Sequence, residues 1–152
     1  MIFRLRSLQT VYLVPKLQKY VETEQLGRCS LSPEGIWAQP AELLFAARGG
    51  RMSALEQNGK KTLPVTCLDD LVGDRPLTCL KMDVEGVEKE ALSGGVRVIR
   101  RCRPKMLLAG YHHDDDLWEI PLELWNLVPE YKIYLRRHPY VPCWEINFFV
   151  TL

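Results

Sequence analysis

The sequence predicts an α/β fold: a mostly parallel sheet, an inserted β-meander, and an antiparallel strand pair at the C-terminal end. Three observations carry this. After residue 76, short apolar runs alternate with helix-like stretches, which is the pattern of parallel strands joined by crossover helices. Between Ile36 and Val65, the turn signals Gly49-Gly50 and Asn58-Gly59 separate short apolar runs, as in a meander. Near the end, Tyr131–Leu135 and Glu145–Val150 are aromatic-rich runs parted by Pro139 and Pro142.

Taken in order, Val11-Tyr12-Leu13-Val14 reads as a short buried strand stopped by Pro15. Lys16–Gln25 carries Leu17, Tyr20 and Val21 at helical spacing, and Leu26-Gly27 closes it. Arg28–Leu31 is a brief strand candidate, and Pro33-Glu34-Gly35 is a turn. Ala41–Ala46 and Met52–Leu55 form a hairpin across Gly49-Gly50. Thr62–Leu68 follows, with Pro64 placing that strand at an edge. Asp69 is a natural N-cap for a short helix. Leu77–Met82 reads as a buried strand. The helix opening at Glu88 is interrupted at Gly94-Gly95 and ended by Pro104. Lys105–Tyr111 is the next strand. Asp114-Asp115-Asp116 caps a helix bearing Leu117, Ile120, Leu124, Trp125 and Leu127, which Pro121 should break or kink.

The chain has 152 residues, room for a single domain that buries roughly 70% of its unfolded surface. Its 47% apolar and 26% charged residues are those of an ordinary globule. With 20 basic against 19 acidic residues the net charge is +1, so no broad field draws in nucleic acid or an anionic membrane. The basic cluster Arg97, Arg100, Arg101, Arg103, Lys105 reads as a solvated helix end, with phosphate binding as the alternative. Five cysteines lack C-x-x-C spacing, and Cys67, Cys79 and Cys143 read as small buried hydrophobes. No disulfide framework, signal peptide or membrane span is indicated, which points to the reducing cytoplasm. Trp37, Trp118, Trp125 and Trp144 are expected in core or lid packing.

The segment Leu80–Lys89 is the most informative. A buried strand ends there in Asp83 and Glu85, then Gly86, then a helix-like stretch, as at the rim of an α/β sheet. On an extended backbone the two carboxylates point to one side, where mutual repulsion lets one hold its proton more tightly and act as a base. The other reading is an acidic helix N-terminus favoured by the dipole. Both stay open on spacing alone.

These blocks resemble the FkbM-type methyltransferases. Val65–Leu71 is similar to that family's leucine–aspartate segment. Leu80–Glu88 is similar to its lysine-x-aspartate-valine-glutamate-glycine-x-glutamate signature. Ala91–Gly95, Tyr111–Pro121 and Tyr131–His138 resemble the blocks that follow, in the same order. The resemblance runs from about residue 16 to the end. It implies a Rossmann-like methyltransferase fold, here incomplete at the N-terminus: the chain resembles the C-terminal two-thirds of such an enzyme. No G-x-G turn opens a helix, and Val14 stands where an acidic ribose ligand is expected. The first strand, its loop and its helix are expected to be missing; that strand lies at the centre of the family's sheet, so its neighbours would lose their backbone partner.

The resemblance also implies S-adenosylmethionine as cofactor and a hydroxyl of a small molecule or sugar as methyl acceptor. Asp83 is then the candidate base or hydroxyl-orienting residue, with Glu85 as its partner. Asp83 and Lys81 are the candidate cofactor contacts, although a strand-end lysine also simply reaches solvent. His112, beside His113 after the next strand, is a second candidate base; the alternative there is a polar loop before a capped helix. Asp69, Asp83, Glu85 and His112 are hard ligands suited to magnesium, but spacing does not join them and no metal is assigned. The competing reading is a non-catalytic remnant or binding module of the same fold. It would complete its sheet with a partner, or with itself, through an exposed strand edge.

Overall fold

The computed structural model describes residues 2–6, 10–25, 31–46, 54–55, 61–137 and 146–152, with side chains described at 15–25, 31–44, 62–137 and 146–152. The chain runs β1 (Ile2–Arg6), α1 (Thr10–Thr23), β2 (Gly35–Ile36), β3 (Ala41–Ala46), β4 (Ala54–Leu55), β5 (Lys61–Thr66), α2 (Leu68–Val72). It continues β6 (Cys79–Asp83), α3 (Glu88–Ser93), α4 (Val96–Cys102), β7 (Lys105–Ala109), α5 (Asp116–Leu127), β8 (Lys132–Arg137), β9 (Ile146–Thr151).

Two sheets form. The larger has the order β1-β6-β7-β9-β8 and the smaller β2-β5-β3-β4. In the larger sheet β1, β6 and β7 are parallel, whereas β9 joins β7, and β8 joins β9, antiparallel. The sheet is therefore mixed, not mostly parallel. The crossover pattern after residue 76 gives one parallel step, β6 to β7. The C-terminal antiparallel pair then forms within the same sheet.

Strand alternation sets the layers. Leu80, Met82, Met106, Leu108, Phe148 and Val150 are buried and share one face. Leu68, Val72, Leu92, Ile99, Ile120 and Leu124 belong to the same core and bring α2–α5 into it. Burying side chains of this size contributes roughly 1.5–3 kcal/mol apiece. The smaller sheet has a core of its own, Leu63 and Val65 with Trp37, Ala41 and Leu43.

Several expectations are corrected. Val11–Val14 lies within α1, not in a strand, and α1 continues through Pro15. A four-residue apolar run has no period of its own, and Val14, Leu17 and Val21 continue helical spacing. β6 does not lack a backbone partner on that side: β1 runs parallel beside it, from Ile2 opposite Cys79 to Arg6 opposite Asp83. Pro64 is not on an edge strand, since β5 lies between β2 and β3. However, β2 pairs with Val65 and Thr66, and among the described residues no strand partner faces Pro64 on that side. Asp69 does not cap α2, whose N-cap is Cys67. Its carboxylate instead accepts N–H from Arg97 and Val98 at the start of α4. Of the break or kink expected at Pro121, no break occurs: α5 runs unbroken to Leu127.

Trp118 and Trp125 are exposed rather than packed in a core. Cys67 is buried, while Cys79 is only partly so. Arg28–Ser30, the Gly49-Gly50 and Asn58-Gly59 turns, His138, Pro139, Pro142, Cys143 and Trp144 lie outside the described residues; Leu31 is in no strand. No described helix is long and apolar enough to cross a membrane.

Gly94 ties the two sheets together. A Cβ there would stand 2.3 Å from the Trp37 carbonyl oxygen, so the turn between α3 and α4 can close against the segment after β2 only with glycine.

Candidate active site

β6 and β7 both end at one edge of the large sheet, and the residues that follow them meet there. Asp83 is the last residue of β6. One of its oxygens accepts from Tyr111 Oη (3.0 Å) and the other pairs with Lys81 Nζ at 3.3 Å. The Asp83 side chain stays one-third exposed, so these partners hold it without sealing it from solvent.

After Asp83 the backbone leaves the strand conformation. Glu85 has φ 60° and Gly86 φ 94°. The extended-strand argument for two carboxylates on one side therefore fails. The turn nevertheless brings both toward one imidazole: His112 Nε2 lies 3.6 Å from Glu85 Oε2 and 3.9 Å from Asp83 Oδ1. A Cβ on Gly86 would stand 2.7 Å from His113 Nε2, and that nitrogen is 2.9 Å from the Gly86 carbonyl oxygen. Gly86 thus supplies both the left-handed turn and the close approach.

The residue that organises this rim is Glu88, which the sequence reading placed in the signature but gave no role. It is buried in the first turn of α3. Its Oε1 accepts from Val84 N (2.9 Å) and its Oε2 from Gly86 N (3.0 Å), closing the turn. Oε1 also lies 2.9 Å from His112 Nδ1. A buried carboxylate is costly unless donors surround it, and here three do. The available signal was spacing: a glutamate two residues after a glycine can reach back over the turn it follows.

Asp116 plays the matching part on the other loop. Buried at the start of α5, it accepts from His112 N and His113 N. Lys89 joins α3 to α5 through Asp115 and Glu119, and these bonds raise its pKa. Burial alone would lower the His112 pKa. The hydrogen bond to Glu88 and the charges of Glu88, Glu85 and Asp83 outweigh burial, and the direction is upward.

The structure therefore brings together Lys81, Asp83, Glu85 and His112, and adds Tyr111 and Glu88. Asp69 belongs to the α4 cap instead. Asp83, Glu88 and His112 present ligand atoms within 4.8 Å of one another. Hydrogen bonds already engage both Glu88 oxygens and His112 Nδ1, so we read the set as a hydrogen-bonded network rather than a metal centre. A surface depression lined by Arg100, Arg103, Leu127, Val128, Pro129 and Glu130 lies elsewhere, where α4 and α5 end. Arg100 there bonds the Leu127 and Asn126 carbonyls, and Arg103 pairs with Glu130.

Comparison with known proteins gives a consistent picture. A family model described as the methyltransferase FkbM domain matches residues 23–141. The crystal structure of methyltransferase FkbM from Methylobacillus flagellatus KT is similar, with a TM-score of 0.68 and 27% identity. The similarity covers 93% of this chain and 33% of that one, so the chain spans about a third of that protein's length. The comparison with curated proteins returned no match.

Proposed function

The chain belongs to the FkbM methyltransferase family, and from that premise we propose that its rim site serves methyl transfer from S-adenosylmethionine to a hydroxyl of a small molecule or sugar. The observation that carries the proposal is the convergence of Lys81, Asp83, Tyr111 and His112 where β6 and β7 end, the edge at which open α/β sheets take ligands. The charges suit the methionine end of the cofactor, which has an ammonium and a carboxylate. Lys81 would meet the carboxylate, and Asp83 the ammonium or the acceptor hydroxyl.

When bound, S-adenosylmethionine supplies an electrophilic methyl group, which leaves alignment and proton acceptance to the protein. Tyr111 and Lys81 hold one Asp83 oxygen each, and the carboxylate stays one-third exposed, within reach of a ligand. His112, held between α3 and the β7 rim, is the second group able to take a proton.

Calorimetric titration of the chain with S-adenosylmethionine should give saturable heat. Asp83→Asn should weaken that binding about tenfold, by analogy with loss of a charge-assisted hydrogen bond. Absence of heat from a protein that still melts cooperatively would overturn the reading for this chain.

A second reading, association through a sheet edge, is favoured by β8. It is the outer strand of the large sheet and exposes Tyr134 and Leu135. It expects a concentration-dependent dimer by light scattering that Leu135→Lys weakens; a monomer at all concentrations counts against it. Free Cys67, Cys79 and Cys102 accord with a cytoplasmic location, which we also propose.

A further inference from the structure

We infer that Glu88 is a positioning residue for His112: it fixes the imidazole as the Nδ1–H tautomer and leaves Nε2 as the bare nitrogen that accepts the acceptor hydroxyl's proton. This deepens the methyl-transfer reading and rests on it for the proton's origin. The tautomer itself rests only on geometry.

His112 Nδ1 is 2.9 Å from Glu88 Oε1, and the Glu88 side chain has no exposed surface. Both Glu88 oxygens already accept backbone N–H groups, from Val84 and Gly86, so the carboxylate meets the ring as an acceptor and the ring must donate. Across the ring, Nε2 is 3.6 Å from Glu85 and 3.9 Å from Asp83, outside hydrogen-bond distance of either. The Tyr111 ring, 4.3 Å away between centroids, packs against the imidazole and limits its rotation.

Nε2 thus points at the same rim that holds Asp83, and among the described residues no hydrogen bond takes up its lone pair. Among the described residues, the charged or titratable groups facing the ring are Asp83 at the end of β6, Glu85 in the turn after it and Glu88 from α3, with Tyr111 beside it. All three carboxylates favour the imidazolium once it forms.

In the step itself, the hydroxyl proton passes to Nε2 as the oxygen–carbon bond forms and the carbon–sulfur bond breaks. The sulfonium's positive charge is thereby replaced by that of the imidazolium, which Glu88 pairs. The proton then leaves to solvent. Asp83, already bonded to Tyr111 and Lys81, orients the hydroxyl instead of taking its proton. The same carboxylate that closes the Val84–Gly86 turn therefore aims the base, so the signature's last glutamate serves two tasks.

Ring-nitrogen NMR on the intact chain, with His112 assigned through His112→Gln, tests this without cofactor. The expected result above the titration midpoint is a protonated Nδ1 and a bare Nε2. An Nε2–H tautomer overturns the proposal. In Glu88→Gln the His112 midpoint should fall by about one pH unit, and the acidic limb of any transfer rate should move with it. A purely structural Glu88 would lower the melting temperature and leave the midpoint where it was. Should Glu88→Gln fail to fold, the wild-type tautomer decides alone. A chain that shows this tautomer but no heat with S-adenosylmethionine refutes the transferase reading and leaves the Glu88–His112 pair intact.

Discussion

Glu85 sits in left-handed backbone conformation without being glycine, immediately before Gly86, which is left-handed too. A side chain there costs roughly 1–2 kcal/mol relative to glycine's freedom, and the cost is tolerated where the carboxylate faces His112. Glu85→Gly should therefore leave stability unchanged or raise it by up to about 1 kcal/mol in urea unfolding, while weakening whatever the rim binds. A clear loss of stability would show that the Glu85 carboxylate holds the turn. At this scale the sequence exposed the acids Asp83 and Glu85 and the base His112, because strand ends and polar loops are visible as breaks in apolar runs. It hid the hydrogen bonds between them. In the sequence Glu88 only opens a helix, and the folded turn alone reveals that its oxygens point backward.

Between α3 and α5 the charges are less evenly matched. Glu123 on α5 has its pKa pushed up to about 7 by burial first, then by the charges of Glu90 and Glu119, with Lys89 pulling it down. One oxygen of Glu90 is buried without a hydrogen-bond partner. From about pH 4.5, where an ordinary glutamate ionises, to about pH 7, the native state binds the Glu123 proton more tightly than the unfolded chain does. Stability should thus fall across that window as pH rises and stay reduced above it. Glu123→Gln removes the titration. Its melting temperature should match wild type near pH 4 and exceed it by roughly 2–4 °C, about 1 kcal/mol, near pH 8. A constant difference at both pH values would exclude the titration as its cause. Elements were legible wherever an apolar run had a period or a glycine stop, as at the Gly94-Gly95 break. Proline misleads as a stop signal: Pro15 lies inside α1, and Pro121 does not break α5. Proline's missing N–H leaves a single carbonyl without its helical partner, and the packing of Ile120 and Leu124 into the core outweighs that for α5.

Across the whole molecule, apolar burial is concentrated on one side of one sheet. Leu80, Met82, Met106, Leu108, Phe148 and Val150 face the helices, while Phe149 and Tyr134 on the opposite face of the same sheet are exposed. Among its described side chains, the meander sheet's own cluster has Leu63 and Val65 buried. Sequence could order these strands but not partition them. An apolar run reads the same whether it pairs within a large core or a small one, and the Phe3-Arg4-Leu5-Arg6 alternation fits a strand without saying that β6 is its partner. Local opening costs follow buried apolar contact. Amide exchange should therefore be slowest in β6, β7 and β9, close to the global unfolding free energy, and markedly faster in β3 and β5. Leu108→Ala should cost about 2–5 kcal/mol and speed exchange everywhere, whereas Leu63→Ala should cost less and speed it chiefly in β3 and β5. The candidate site lies on the slow sheet, so its geometry should outlast opening of the meander. If Leu63→Ala instead loosened the amides of Val84 and Gly86 as much as those of β5, the two sheets would open as one unit, with the Gly94 contact to the segment after β2 as the joint that couples them.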